Sequence, residues 1–316
     1  MNYAHFMGVG RLAASSHFGD GVRIAILDSG VPPPGRIRGS WNEALSDEYG
    51  EFPDEFGHAT EIASILFGGG GISGLCEYAV PEFIKVLDSH GSGDVGSVSR
   101  GIYEAIERDV DVINLSLGFV RTDRCPAELE KACREAFDAG KTIICAAGND
   151  SGPVNWPAAL ETTISVGSSG DDGLKTSFSS VGEVDFVAPG VDLPVIGLSG
   201  DIKTVKGTSF SSAIVSGLAT LMIAGRIKRK DGYGRFDKPD SSMASVVDDL
   251  RTIARDVGPE GWDAETGNGA IFGCRDCMDP TVRMPSGRFF DTIVKNHMAR
   301  WAGHGKTKGE KNGSGI

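Results

Sequence analysis

Apolar residues along the chain alternate between short unbroken runs and stretches that repeat at three- and four-residue intervals. The runs at 22–28, 82–87, 110–115, 142–147 and 162–167 are too continuous for half-exposed strands, so they read as strands buried on both faces. Between them, helical spacing covers 58–67, 95–109 and 126–140, and a longer helix is expected from about 209 to 225. Met243, Val246, Val247, Leu250 and Ile253 form a further stripe over 241–256 that suits a helix packed on a sheet. Strands alternating with helices predict an α/β fold in three layers, a mostly parallel central sheet with helices on both faces. No internal repeat interrupts the pattern, and residues 1–278 read as one domain.

Beyond that point the pattern weakens. Residues 279–316 form a basic tail ending in GHGKTKGEKNGSGI, a composition that cannot bury enough apolar surface to order itself. Within the tail, helix-like spacing at 288–301 marks a candidate helix, and the tail is a candidate to bind a partner or its own catalytic domain. Arg226–Ser242 reads as a solvated loop. The net charge of −12 is uneven: residues 281–316 hold seven Lys or Arg against two Asp or Glu, which leaves them at +5 and the preceding 280 residues at −17. An acidic body argues against nucleic acid as a partner. The longest mostly apolar segment, Ala213–Gly225, has thirteen residues and falls short of a membrane span. The N-terminus lacks the features of a signal peptide, and the expected location is the cytoplasm. There the six cysteines would stay reduced; Cys274-Arg-Asp-Cys277 is a CxxC without a second metal-ligand pair, and free thiols are the favoured reading.

Three strings carry chemistry: VRIAILDSG around Asp28, FGHATEIASILFG around His58 and GTSFSSAIVSGLATL around Ser209. Asp28 ends an apolar strand, and His58 and Ser209 each open a helix. An acid, a base and a hydroxyl in such positions form the residue set of a nucleophilic hydrolase. Ser209 would be the nucleophile, with Gly207 giving backbone access and the positive end of its helix facing developing negative charge. His58 would act as general base and then general acid, and Asp28 would hold the imidazole in its working tautomer.

The three strings, in this order, resemble those of subtilisin-type serine proteases, the subtilase family. DVINLSLG (111–118), TIICAAGND (142–150), SFSSVGEVDFVAPG (177–190) and TGNGAIFG (266–273) extend the resemblance over roughly residues 8 to 278. It implies a serine endopeptidase acting on peptide or protein substrates without a required cofactor, with Asp28, His58 and Ser209 as the triad and Asn149 as an oxyanion donor. Gly91, Ser92, Gly93, Ser116, Leu117 and Gly118 match the two segments that sandwich an extended peptide. By the same resemblance Leu117 and Val95 line the pocket for the fourth residue before the cut. Ala146, Ala147, Gly148 and Asn155 border the pocket for the residue just before it. Asp150 matches a rim carboxylate, and Phe119 stands where a small residue is common.

The chain departs from the family pattern at Ala59, Phe210 and Ala213, the last replacing a usual proline. The loop LFGGGGISGL (66–75), where relatives bind calcium, has no carboxylate, which argues against a calcium site. Two alternatives stand beside hydrolysis. One is a peptide ligase or macrocyclase using the same acyl-enzyme, the other a catalytically silent peptide-binding module. Secreted relatives carry a pro-segment, whereas only about twenty residues precede the first strand here, so the domain is expected to fold unaided.

Overall fold

The computed structural model describes residues 1–38, 51–227 and 239–272. The tail 279–316 with its candidate helix, the Cys274/Cys277 pair and most of the 226–242 loop lie outside the described residues. Two short helices, α1 (Tyr3–Phe6) and α2 (Gly10–Ser15), lead into β1 (Arg23–Asp28). There follow α3 (His58–Phe67), β2 (Val80–Lys85), α4 (Val95–Glu107), β3 (Val112–Leu115), α5 (Ala127–Asp138), β4 (Thr142–Ala146), β5 (Ile164–Ser169) and β6 (Phe186–Pro189). A hairpin, β7 (Leu193–Ile196) and β8 (Ile202–Val205), precedes α6 (Thr208–Arg226) and α7 (Met243–Ile253).

Six strands form one parallel sheet in the order β2-β1-β3-β4-β5-β6. Their burial explains the unbroken apolar runs: β3, β4, β5 and β6 are buried at every position. One core packs α1, α2, α3, α6 and α7 on one face, and a second packs α4 and α5 on the other. The three-layer α/β arrangement expected from the pattern is therefore present.

The differences lie in short elements. Strand β2 starts two residues before the expected run and β5 ends two residues after it. The sheet gains β6, and β7 pairs antiparallel with β8 outside it. Helix α6 is longer than its apolar segment indicated. At 19 residues it is long and apolar enough to cross a membrane, but 89% of its apolar window is buried inside the fold. It packs against β3, β4, β5, β6 and α3, and Ala213 is fully buried in that contact.

Because the sheet is parallel, the carboxyl ends of β1, β3 and β4 share one edge. The chain turns to one side of β1 to make β2 and to the other to make β3. Such a reversal leaves a crevice at the carboxyl edge between the two central strands, where α/β sheets bind ligands.

Candidate active site

Asp28 ends β1 at that edge with its side chain fully buried. Its Oδ1 accepts the Ser29 N–H at 2.7 Å, and its two oxygens lie 2.9 and 2.8 Å from His58 Nδ1. A carboxylate only accepts, so the Nδ1–H donates and Nε2 is left as the basic nitrogen. Burial pulls the His58 pKa down, but the Asp28 charge and hydrogen bond, with smaller help from Glu61 and Asp54, leave it above the ordinary imidazole value.

His58 opens α3 directly after Gly57, whose φ of 103° favours glycine and whose added Cβ would come within 3.2 Å of Leu198 Cγ. Glycine brings no capping side chain, and the caps come from elsewhere. Ser29 Oγ accepts the Ala59 N–H at 3.0 Å. Asp54 accepts from Gly57 N–H (2.7 Å), Thr60 N–H (2.9 Å), Thr60 Oγ (2.6 Å) and Ser29 Oγ (2.8 Å). Sequence reasoning missed Asp54 and Ser29. The signal was a helix opening on glycine, which needs a borrowed cap.

Ser209 lies in the first turn of α6, again after a glycine at positive φ, Gly207 at 146°. Its Oγ donates to Ser116 O at 3.0 Å. Among the described residues no hydrogen bond joins Ser209 to His58, although the His58 ring lies 5.7 Å from that of Phe210, the next residue. Ser116 Oγ accepts from Asn114 Nδ2 at 2.9 Å and donates to Ser209 O at 2.8 Å. Ser212 Oγ donates to the same carbonyl at 2.9 Å, and Ser216 Oγ donates to Asn114 Oδ1 at 2.9 Å. This polar set pins the first turns of α6 to the end of β3.

Asn149 follows β4. Its Oδ1 accepts the Thr208 N–H at 2.9 Å and the Thr208 hydroxyl at 3.1 Å. With the oxygen so engaged, the Nδ2 group is the part left to donate to a ligand.

A cleft of about 360 Å³ lies beside His58, lined by Phe56, Leu87, Gly91–Gly93 and Ser116–Phe119. It brings together Gly91, Ser92, Gly93, Ser116, Leu117 and Gly118. Val95 is not in its lining; it opens α4 and packs against the core. Ala146 and Ala147 are buried at the end of β4, and Gly148 N–H donates to Thr208 Oγ1 at 3.2 Å. The Asp150 carboxylate is exposed and accepts from Ser180 Oγ at 2.8 Å. Asn155 stands between Gly118 and Gly148. The 66–75 segment closes a tight turn in which Gly69 pairs with Ile72. Among the described residues no three His, Cys, Asp or Glu side chains converge to hold a metal ion.

Comparison with known proteins shows what the chain is similar to. A family model described as the subtilase family matches residues 19–269. The minor extracellular protease Epr of Bacillus subtilis is 29% identical over 259 residues, covering 80% of this chain and 38% of the relative. Subtilisin NAT of Bacillus subtilis subsp. natto is 32% identical over 67% of this chain and 58% of its own. The intracellular serine protease of Paenibacillus polymyxa is 34% identical over 65% of this chain and 67% of its own. The chain thus spans about 38% of the Epr protease and 58% of subtilisin NAT. The structure of the prenylagaramide maturation protease PagA superposes with a TM-score of 0.67 at 26% identity, covering 82% of this chain and 93% of that one.

Proposed function

The chain belongs to the subtilase family, and from that membership and the geometry of its cleft we propose that it is a serine endopeptidase with an Asp28, His58, Ser209 triad. One observation carries the reading. The buried Asp28 carboxylate orients His58 through Nδ1 at 2.8 Å, while the same sheet edge holds the Ser209 hydroxyl and a ready Asn149 amide.

A peptide lies extended between Gly91–Gly93 and Ser116–Gly118, adding a strand to exposed backbone. As it binds, the Ser209 hydroxyl turns from Ser116 O to His58 Nε2 by rotation about one side-chain bond. His58 takes the hydroxyl proton while Oγ bonds to the carbonyl carbon, and the carbonyl oxygen takes up the negative charge. Asn149 Nδ2 and the Ser209 N–H donate to that oxygen. Collapse breaks the C–N bond, and His58 returns its proton to the leaving amine. Water then repeats the sequence on the acyl-enzyme and restores Ser209. The charge of Asp28 stabilises the imidazolium in both halves. The chain supplies nucleophile, base and oxyanion donors itself, and the proposed reaction needs no cofactor.

The resemblance to PagA, a maturation protease, favours a precursor peptide as substrate over bulk protein. Buried free thiols at Cys76, Cys125, Cys133 and Cys145, with an intracellular protease among the relatives, support a reducing compartment. The reading is tested by Ser209→Ala, which is expected to abolish both peptide cleavage and labelling by a serine-directed phosphonate. Retained labelling refutes the triad. Product mass decides the acceptor, since hydrolysis adds one water to the fragments and ligation to an amine adds none.

A further inference from the structure

Opposite Asp28 in the sheet stands Lys85, the last residue of β2 and its partner in the parallel register of β1 and β2. The Lys85 side chain is mostly buried, and its ammonium donates to two main-chain carbonyls from separate segments, Ser29 O and, at 2.9 Å, Pro53 O. Its ion-pair partner among the described residues is Glu55, 3.8 Å away and more than half exposed. A pair so open to water contributes little, so the two carbonyls account for where this charge sits. Two carbonyl oxygens that converge on one point repel each other unless a donor stands between them, and an ammonium brings three N–H groups and no acceptor.

Each acceptor belongs to one half of the proposed acid–base pair. Ser29 is buried, and its other polar groups are engaged: its N–H donates to Asp28 Oδ1 at 2.7 Å, while its Oγ accepts the Ala59 N–H and donates to Asp54 Oδ1. Its carbonyl is the group that remains, and Lys85 takes it. Pro53 O precedes Asp54, whose carboxylate holds Gly57 N–H and Thr60 N–H on either side of His58. The ammonium therefore spans the junction between the strand that ends in Asp28 and the loop that leads to His58. The cleft is anchored separately, because Val86 N–H and Leu87 N–H donate to Asp28 O at 2.9 and 3.2 Å through backbone groups alone.

We propose that Lys85 is a positioning residue for the endopeptidase reaction described above, a reading on which this inference rests: by clamping Ser29 O to Pro53 O it sets the Asp28–His58 hydrogen bond, and it touches no substrate. Steady-state kinetics on variants of the full chain test it. Lys85→Met is expected to lower kcat by about 10- to 100-fold while KM stays within about threefold, because a misplaced acid–base pair loses rate while the separately anchored cleft keeps its binding. Lys85→Arg keeps a cation with several donors and should recover most of the loss. If Lys85→Met does not fold, Lys85→Gln, which retains donors without the charge, serves in its place with a smaller loss of the same kind. The His58 Nδ1 proton, far downfield in the proton NMR spectrum when bound to a carboxylate, reports the bond directly. Its resonance should shift upfield or vanish in Lys85→Met and persist in Lys85→Arg. An unchanged kcat, a loss carried by KM, or an Nδ1 resonance that stays in place overturns the inference alone. Absence of peptide cleavage by the unmodified chain overturns the endopeptidase reading and the inference together.

Discussion

In the proposed reaction Asn149 has two tasks that can be separated by their size. Its Oδ1 caps Thr208, and its Nδ2 is free to donate to an oxyanion. Loss of a cap costs about 1 kcal/mol, whereas one oxyanion donor in subtilisin-type enzymes contributes on the order of 10²–10³ in rate. Asn149→Leu is therefore expected to lower kcat by about 10²–10³ with little change in KM and only a small loss of stability. Steady-state kinetics check it, and a loss carried by KM would assign Asn149 to substrate binding. The placements of Asp28, His58, Ser209 and Asn149 were legible in the sequence because each stands in a local string that states its strand end or helix start. The hydrogen bond of Ser209 Oγ to Ser116 O was not legible, since it joins residues 93 positions apart.

The two helices that present His58 and Ser209 are built alike. Each starts after a glycine at positive φ, so the chain can turn tightly, and each takes its cap from outside the helix. For α3 the caps are Ser29 and Asp54, and for α6 it is Asn149. Helix position and the geometry of the proposed triad are thereby set by the same contacts. Asp54→Ala would orphan four donors, two of them backbone N–H groups. The expected loss is roughly 3 kcal/mol of unfolding free energy, at the upper end of the range for a buried unsatisfied site. Urea denaturation measures it, and a loss under about 0.5 kcal/mol would show that the brace is dispensable. Strands β1 to β5 could be read from their apolar runs. Four-residue β6 and β7 contain Pro189 and Pro194 and gave too few positions for a period, as did the short α1 and α2. The role of Asp54 was hidden for a different reason, because a cap borrowed across the fold leaves no local capping pattern.

At the scale of the whole molecule, half-buried Asp185 beside the second core is a carboxyl group that opposes stability at neutral pH. Burial raises the Asp185 pKa to about 6, against the lowering effect of the Ser165 N–H that it accepts at 2.8 Å. Between about pH 4 and 6 the native state keeps this proton while the unfolded chain, with a pKa of about 3.9, has released it. The contribution of Asp185 to stability is thus present at low pH and is lost as pH rises through about 6. Asp185→Asn removes the charge, and at pH 8 it is expected to exceed the parent in stability by on the order of 1–3 kcal/mol, with the advantage vanishing near pH 4. Parallel stability profiles from urea melts at pH 4, 6 and 8 would refute this. Helix α6 has a consequence of another kind, one of timing. It packs against four strands and α3 and also carries Ser209, the proposed nucleophile, so a polypeptide still being synthesised holds Asp28 and His58 well before the residue they are proposed to activate. On the proposed reading, cutting power arrives only when this central pillar is seated.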